Sequence, residues 1–191
     1  GDPHYTAVYD RHGLLGPRTL LAHCLHMDDA QWAVLAERRA VAVHCPAANT
    51  FLRAGLFDLD AARRHGVRVA LGSDVAAGPD LAMPRVARAM IEVAKVRAMA
   101  AAASGGGGGG GPLRVPTPTE AWTMITAGNA EALGFDGMGR LEPGAGADLL
   151  VLQAPIPVDE HLAGRLIYTW RDEYVTHAVL NGHLIETATL R

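Results

Sequence analysis

The strongest constraint on the fold of this chain is a repeated order of short apolar segments, each followed by an ionisable residue. Residues 19–22 run into His23, residues 41–43 into His44, and residues 67–73 into Asp74. The first two segments are short and apolar, as in strands that are buried on both faces. Arg68 interrupts the apolar pattern of the third segment. Three successive strands are therefore predicted.

Helical patterns separate the three predicted strands. Asp28 or Asp29 can cap a helix that carries Trp32, Leu35 and Ala36 on one face. A shorter helix is predicted over 56–65, where Gly66 ends it, and a longer one over about 81–103. Strands that alternate with helices predict a parallel sheet with crossover helices, which is an α/β fold.

The second half of the chain begins with a low-complexity tract. Seven consecutive glycines, Gly105 to Gly111, stand between Ser104 and Pro112. A phosphate-binding loop would need a nearby lysine or a strand directly before the glycines, and neither is present. We therefore interpret the tract as a flexible connector.

Clear start and turn signals follow the glycine tract. Thr117 and Glu120 form a capping-box pattern around Pro118, and the predicted helix runs to about Leu133 before Gly134. Residues 148–152 predict a strand. Residues 175–180 and 183–185 flank Asn181-Gly182, which predicts a hairpin with a type I′ turn. The tail is thus a β-rich segment, unlike the strand–helix units before it.

Composition and charge exclude several classes of function. With 17 basic and 20 acidic residues, the net charge of -3 offers no basic field for nucleic acid or an anionic membrane. No apolar run approaches the roughly 20 residues that span a bilayer, and no secretory leader pattern opens the sequence. Two cysteines, Cys24 and Cys45, are too few for a disulfide framework. A cytoplasmic protein is therefore expected.

The residues at the strand ends favour metal-dependent chemistry. In a (β/α)8 barrel the active site lies at the carboxyl ends of the strands. His23, His44 and Asp74 occupy such positions, about 21 and 30 residues apart, which suits one strand–helix unit each. Imidazole and carboxylate groups that converge there can hold Zn²⁺ and activate water.

Other interpretations of the same residues remain open at this point. A histidine at a strand end is often only a hydrogen-bonded residue of the rim, and an aspartate after Gly-Ser is commonly a turn or cap residue. A structural zinc site is a further alternative, because Zn²⁺ accepts mixed cysteine and histidine ligands. Its ligands would be Cys24, His26, His44 and Cys45.

Five motifs resemble, in order, those of the guanine deaminases of the amidohydrolase superfamily. They are residues 5–10 (YTAVYD), 21–24 (LAHC), 42–49 (AVHCPAAN), 71–78 (LGSDVAAG) and 139–151 (GRLEPGAGADLLV). The resemblance implies an α/β fold that forms the C-terminal part of a (β/α)8 TIM barrel, strands six to eight, plus part of a small β-sandwich. It implies a partial barrel over 1–134, with a glycine-rich insertion at 104–112, and a β-sandwich segment over 135–191.

The resemblance also implies roles for single residues. Asp74 resembles the aspartate that ligates zinc and takes a proton from the attacking water. His23 resembles the histidine that lies beside this water and binds the substrate or the intermediate. We expect His44 to shape the substrate pocket and Asn49 to fix its loop. The implied cofactor is one Zn²⁺ per active site, with most of its ligands absent from this chain.

The family's remaining metal ligands and its guanine-gripping residues precede the region that is similar here. We therefore expect a fragment, a truncated gene model or half of a split enzyme, inactive alone. It would work as a homo-oligomer or with a missing N-terminal half. The implied reaction is the zinc-dependent deamination of guanine to xanthine and ammonia in purine catabolism. The alternatives are another aminopurine, a pterin or a triazine as substrate, or a non-catalytic assembly partner.

Overall fold

A computed structural model describes residues 4–104 and 113–185. The glycine tract lies outside the described residues. Helices alternate with strands in the first part: α1 (Tyr5–Arg11), β1 (Leu20–Ala22), α2 (Asp29–Glu37), β2 (Val41–His44), α3 (Pro46–Phe51), α4 (Leu59–Arg64), β3 (Arg68–Leu71) and α5 (Met83–Ala103). The second part contains α6 (Pro118–Thr123), a π-helical turn (Met124–Gly128), α7 (Asn129–Leu133), β4 (Leu149–Leu152), α8 (Leu162–Thr169), a 3-10 turn (Asp172–Tyr174), β5 (Val175–Leu180) and β6 (His183–Ile185).

The three strands of the first half form one parallel sheet in the order β1-β2-β3. Leu20 pairs with Val41, and Val41 pairs with Arg68. The predicted α/β order is thus confirmed. The burial prediction holds for β2 but is wrong for β1, where Leu20 is 52% exposed. The reason is the position of each strand in the sheet. In the described part of the chain β1 lies at an edge, whereas β2 lies between β1 and β3.

A layer of helices covers one face of this sheet and holds the main core. Trp32 of α2 meets Phe57 edge to face at 5.7 Å between ring centroids, and Val86 and Met90 of α5 are fully buried beside them. Burial of each such large apolar side chain contributes about 1.5–3 kcal/mol. Of the two predicted caps of α2, the structure has Asp28, which forms a capping box with Gln31. The helices therefore stabilise the sheet by packing against one of its faces.

Two predicted helices begin later than the sequence pattern suggested. Helix α4 starts at Leu59 rather than residue 56, because the Asp58 carboxylate caps it by accepting from the Ala61 amide at 2.9 Å. Helix α5 starts at Met83, with Pro84 in its first turn, and leaves Leu81 exposed. Capping and the fixed φ of proline decide these starts more strongly than apolar periodicity.

The helix predicted from Thr117 to Leu133 has both predicted ends but not one regular interior. Thr117 and Glu120 form the capping box, and Gly134 ends the segment with a left-handed φ of 76°. The π-helical turn interrupts it, as π-turns often do near functional sites. Directly after that turn, the Asn129 amide both accepts from and donates to the Leu71 backbone, which ties the segment to the outer edge of β3.

The tail forms a second, antiparallel sheet in the order β4-β5-β6. The predicted hairpin is confirmed: Asn181 and Gly182 have φ values of 50° and 77°, as a type I′ turn requires. Between β4 and β5, helix α8 turns back onto α5 and α6, and its Ile167 is buried in the main core. Among the described residues, no helix is both long and apolar enough to cross a membrane.

Candidate active site

Polar side chains from the ends of all three parallel strands meet at one edge of the first sheet. His23 follows β1 directly, Cys45 follows β2 directly, and Asp74 lies three residues beyond β3. One imidazole nitrogen, the thiol sulfur and one carboxylate oxygen of these residues lie within 4.8 Å of one another. The parallel register places the carboxyl ends of the strands together, which explains the convergence of residues so distant in sequence.

His23 is oriented by a hydrogen bond on one side of its ring. It leaves β1 with a left-handed φ of 73°. Its Nδ1 lies 2.8 Å from Oδ1 of Asn49. Since an amide oxygen only accepts, Nδ1 carries the proton. Nε2 then faces the carboxylate of Asp74, 3.9 Å from Oδ2. The imidazole thus presents one nitrogen to the space beside Asp74.

Asn49 reaches His23 from α3, the short helix that follows β2. Helix α3 begins with Pro46 directly after Cys45, so it starts where β2 ends. Asn49 lies on the inner side of this short helix and is only 2% exposed. Its Nδ2 has no hydrogen-bond partner within the described part of the chain. The residue expected to fix its loop is therefore also the contact that sets the ring orientation of His23.

Asp74 is held in a tight loop after β3. Its backbone φ is 49°, and its carbonyl oxygen accepts from the Gly78 amide at 2.6 Å. A Cβ atom at Gly78 would lie only 2.5 Å from the carbonyl oxygen of Ser73, so this position requires glycine. The Asp74 side chain is about one-third exposed and the His23 side chain less than half, which leaves both groups open to a ligand.

Cys45 is the member of the cluster that sequence reasoning did not assign to it. Burial raises the pKa of its thiol, and the nearby charge of Asp74 raises it further. The sequence suggests Cys45 only as a ligand of a structural zinc site with Cys24, His26 and His44. In the structure the Cys24 thiol instead contacts the Leu21 carbonyl, and His26 contacts that of Ala54. The available signal was position, since Cys45 follows β2 as His23 follows β1.

The side chain of His44 points to the helix-covered face of the sheet, away from the cluster of His23, Cys45 and Asp74. Its ring stacks on Phe57 at 4.5 Å between centroids, within the helix-covered core. Burial, with a smaller effect of the Arg97 charge, lowers the pKa of His44 to about 3, so the ring is neutral. His44 therefore does not join His23 and Asp74 in the cluster. Its expected part in shaping the substrate pocket stays a prediction.

The donors at this edge fit a zinc ion. Zinc binds imidazole, carboxylate and thiolate at about 2.0–2.3 Å, which places two tetrahedral ligand atoms roughly 3.3–3.8 Å apart. The 3.9 Å between His23 Nε2 and Asp74 Oδ2 is close to that range. The bond from Nδ1 to Asn49 is also the kind of outer contact that metal-binding histidines make.

Comparison with known proteins assigns the chain to a family. The sequence profile described as "Amidohydrolase family" matches residues 1–185. The chain belongs to the amidohydrolase family. Solved amidohydrolase structures that overlay nearly the whole chain confirm the predicted fold, part of an amidohydrolase TIM barrel.

Curated relatives of this amidohydrolase chain include two kinds of deaminase. It is 30% identical to the guanine deaminase of Escherichia coli (strain K12) over 150 residues, which are 78% of this chain and 31% of that enzyme. It is 39% identical to the 5-methylthioadenosine/S-adenosylhomocysteine deaminase of Halobacterium salinarum over 178 residues, 91% of this chain and 38% of that enzyme. The chain thus spans about a third of the length of these relatives.

Solved structures give the same picture. The E. coli guanine deaminase superposes with a TM-score of 0.83 at 26% identity, covering 96% of this chain and 42% of that one. The C. acetobutylicum guanine deaminase with guanine bound in its active site gives 0.82 at 28% identity, over 96% and 43%. An adenosine deaminase from Xanthomonas campestris with bound zinc gives 0.75 at 29% identity, over 96% and 42%.

Proposed function

We propose that this chain forms the C-terminal part of a zinc-dependent deaminase that acts on the exocyclic amino group of a purine, with guanine as the first candidate substrate. The observation that carries the proposal is the pairing of His23 and Asp74 at the strand ends, with Asn49 orienting the imidazole. A partly exposed carboxylate beside a fixed imidazole is suited to move a proton from water.

In the proposed reaction, water adds to the amino-bearing ring carbon, the carbon–nitrogen bond breaks, and ammonia leaves a carbonyl group behind. Zinc, held by Asp74 together with ligands from the rest of the enzyme, would lower the pKa of water toward about 7. The Asp74 carboxylate accepts the proton of the attacking water. His23, with a proton taken up on Nε2 from solvent, donates a hydrogen bond from Nε2 to the oxygen on which negative charge develops.

Asn49 is proposed as a positioning residue rather than a catalytic one. Its Oδ1 accepts from Nδ1 of His23 and faces no reacting atom. This bond holds the proton of the neutral ring on Nδ1 and turns Nε2 toward Asp74. The ring is therefore set before substrate arrives, which removes a cost of ordering from the reaction.

A second candidate substrate has its own support. The Halobacterium relative, named for deamination of 5-methylthioadenosine and S-adenosylhomocysteine, is more similar in sequence over a longer stretch than the E. coli guanine deaminase. Both kinds of substrate carry an exocyclic amino group on a purine ring, on C2 in guanine and on C6 in the two adenosine derivatives, which also carry a sugar. His23 and Asp74 would act on either substrate, so the choice depends on residues that bind the rest of the molecule.

The experiment that tests the proposal uses the full-length protein that contains this chain, loaded with Zn²⁺. Ammonia release is followed with guanine, 5-methylthioadenosine and S-adenosylhomocysteine, each supplied separately. Release from guanine alone supports the first candidate, and release from the two nucleosides alone supports the second. No ammonia from any of the three, or from further aminopurines, pterins and triazines, would reject a deaminase and favour a non-catalytic assembly role.

A further inference from the structure

A cavity lies on the helix-covered side of the first sheet, away from the cluster at the strand ends. It measures about 280 Å³, counted up to its open mouth, and it lies between α4, α5 and the segment before α6. The most deeply buried residues that line it are His44, Phe57 and Met90, each only 1% exposed. The inner end of the cavity is therefore closed off from bulk solvent.

The imidazole of His44 has a hydrogen-bonding group that the protein does not satisfy. Its Nδ1 is buried and has no hydrogen-bond partner among residues 4–104 and 113–185. The ring of Phe57, stacked at 4.5 Å between centroids, cannot supply one. Buried polar groups in folded proteins are nearly always paired, either with another protein group or with ordered water. A partner for Nδ1 is therefore expected in the cavity that His44 lines.

Other polar groups line the same cavity. Arg97 of α5 donates to the Leu56 carbonyl at 3.2 Å and pairs with the Asp58 carboxylate at 2.8 Å. These contacts use two of the five N–H groups of the guanidinium. Arg97 is also close enough for its charge to lower the pKa of His44. The carboxylate of Asp60 lines the cavity as well, so donors and acceptors are both available to a guest.

The size and charge of the cavity restrict what the guest can be. The space that a solvent molecule can enter there corresponds to about one water molecule. A buried water makes about two to four hydrogen bonds, and His44, Arg97 and Asp60 provide enough polar groups for that number. Because Arg97 is already paired with Asp58, a neutral guest is favoured over a small anion.

We propose that one water molecule occupies this cavity and bridges the imidazole of His44 to the guanidinium of Arg97. The water accepts from an N–H of Arg97. It can either donate to Nδ1 of His44 or accept from it, so the bridge forms with either tautomer of the ring. The bridge joins the last residue of β2 to α5. It does not depend on the proposed deamination, because His44 faces away from His23 and Asp74.

The direct test is a crystal structure of the full-length protein at a resolution that shows ordered water. The wild-type protein should show one water at about 2.7–3.2 Å from both Nδ1 of His44 and a guanidinium nitrogen of Arg97. His44→Phe keeps a ring beside Phe57 but removes the nitrogen, so the water should be lost. Arg97→Met removes the donor and should also lose it.

Arg88→Met is the matched control for Arg97→Met. Arg88 lies on the same helix, but its guanidinium pairs with Glu92 at the surface. This variant should keep the water at the wild-type position. The wild-type structure decides the proposal even if a variant fails to fold.

A bromide soak of the wild-type crystals separates water from a halide ion. Anomalous diffraction should show no bromide in the cavity. A bromide peak there, an empty cavity, or a protein atom bonded to Nδ1 of His44 would overturn the proposal. So would a water that stays in place in both His44→Phe and Arg97→Met. Failure of the ammonia assay would leave these results unaffected, so the two proposals fail separately.

Discussion

Oδ1 of Asn49 accepts a hydrogen bond from Nδ1 of His23 at 2.8 Å, and this bond joins the helix after β2 to the residue after β1. Asn49 is nearly fully buried, so its amide is held by packing before it holds the imidazole. Asn49 therefore determines that Nε2 of His23 faces Asp74, although Asn49 itself does not face the site.

Replacement of Asn49 should impair turnover more than binding. In the full-length enzyme we expect Asn49→Ala to lower kcat about 10–100-fold, with KM within about twofold of wild type, because the ring of His23 loses its orientation. Asn49→Asp, which keeps an acceptor oxygen at the same place, should recover most of kcat. Thr50→Ala is the control, since the Thr50 hydroxyl bonds only to carbonyls of its own helix. Equal losses in the alanine and aspartate variants would contradict this role.

The buried imidazole of His44 should make the folded chain sensitive to acid. Its pKa, about 3 in the folded chain, lies below its ordinary value of 6.5, so the unfolded chain binds the proton more tightly. Stability should fall as pH falls below about 6.5, by about 1.4 kcal/mol per pH unit from this group. Urea unfolding at about pH 7.5 and pH 5 should therefore show a smaller pH dependence in His44→Gln than in wild type.

The matched control for His44 is His26→Gln, because the His26 ring is exposed and contacts the Ala54 carbonyl. That variant should keep the wild-type pH dependence. If His44→Gln and wild type lose the same free energy of unfolding between the two pH values, the ring of His44 is not buried as described.

How far the sequence predicted the fold depends on the range of the interactions involved. The cap at Asp28 or Asp29, the capping box of Thr117 with Glu120, and the Asn181-Gly182 turn are local patterns, and the structure contains all three, with Asp28 as the cap. The exposure of β1 was not predictable from its own residues, because it depends on which strands lie beside it. The π-helical turn before Asn129 was missed for the same reason, since Asn129 bonds to β3 far along the chain.

The candidate site divides in the same way. Residue position at a strand end pointed to His23 and Asp74, and the structure brings both together. Cys45 occupies an equivalent position, but the sequence pattern places His44 at the end of this strand and Cys45 only in a structural zinc site. Alternation along β2 turns His44 into the helix-covered core, where it stacks on Phe57, and leaves the next residue at the strand end. The face to which each side chain points could only be decided by the register of the sheet.

The Asp74 loop should not tolerate a side chain at Gly78. A Cβ there would lie 2.5 Å from the Ser73 carbonyl oxygen, so Gly78→Ala should lower the free energy of unfolding by about 1–3 kcal/mol. Gly16→Ala is the control, because a Cβ at Gly16 meets nothing within 4 Å, and its effect should stay within about 0.5 kcal/mol. Urea unfolding of the three chains measures both values. A Gly78→Ala chain as stable as wild type would show that the loop can relax.

The capping box at the start of α6 should contribute measurably to stability. The Thr117 hydroxyl accepts from the Glu120 amide, and the Glu120 carboxylate accepts from the Thr117 amide. Thr117→Ala should lower the free energy of unfolding by about 1 kcal/mol. Thr119→Ala, an exposed threonine two residues along, should change it little. Thermal or urea unfolding that ranks Thr119→Ala as the more damaging change would contradict the assigned cap.

The most direct test of the central claim is the rate of ammonia release by Asp74→Asn in the full-length, zinc-loaded enzyme, with the substrate that the wild-type protein turns over. Asparagine keeps the shape of the side chain but cannot accept the proton from water. Turnover should fall by about 10²–10⁴-fold, while Asp80→Asn, which alters a nearby carboxylate paired with Arg85, stays near wild type. Wild-type turnover and zinc content in Asp74→Asn would contradict the proposed role of the His23–Asp74 pair.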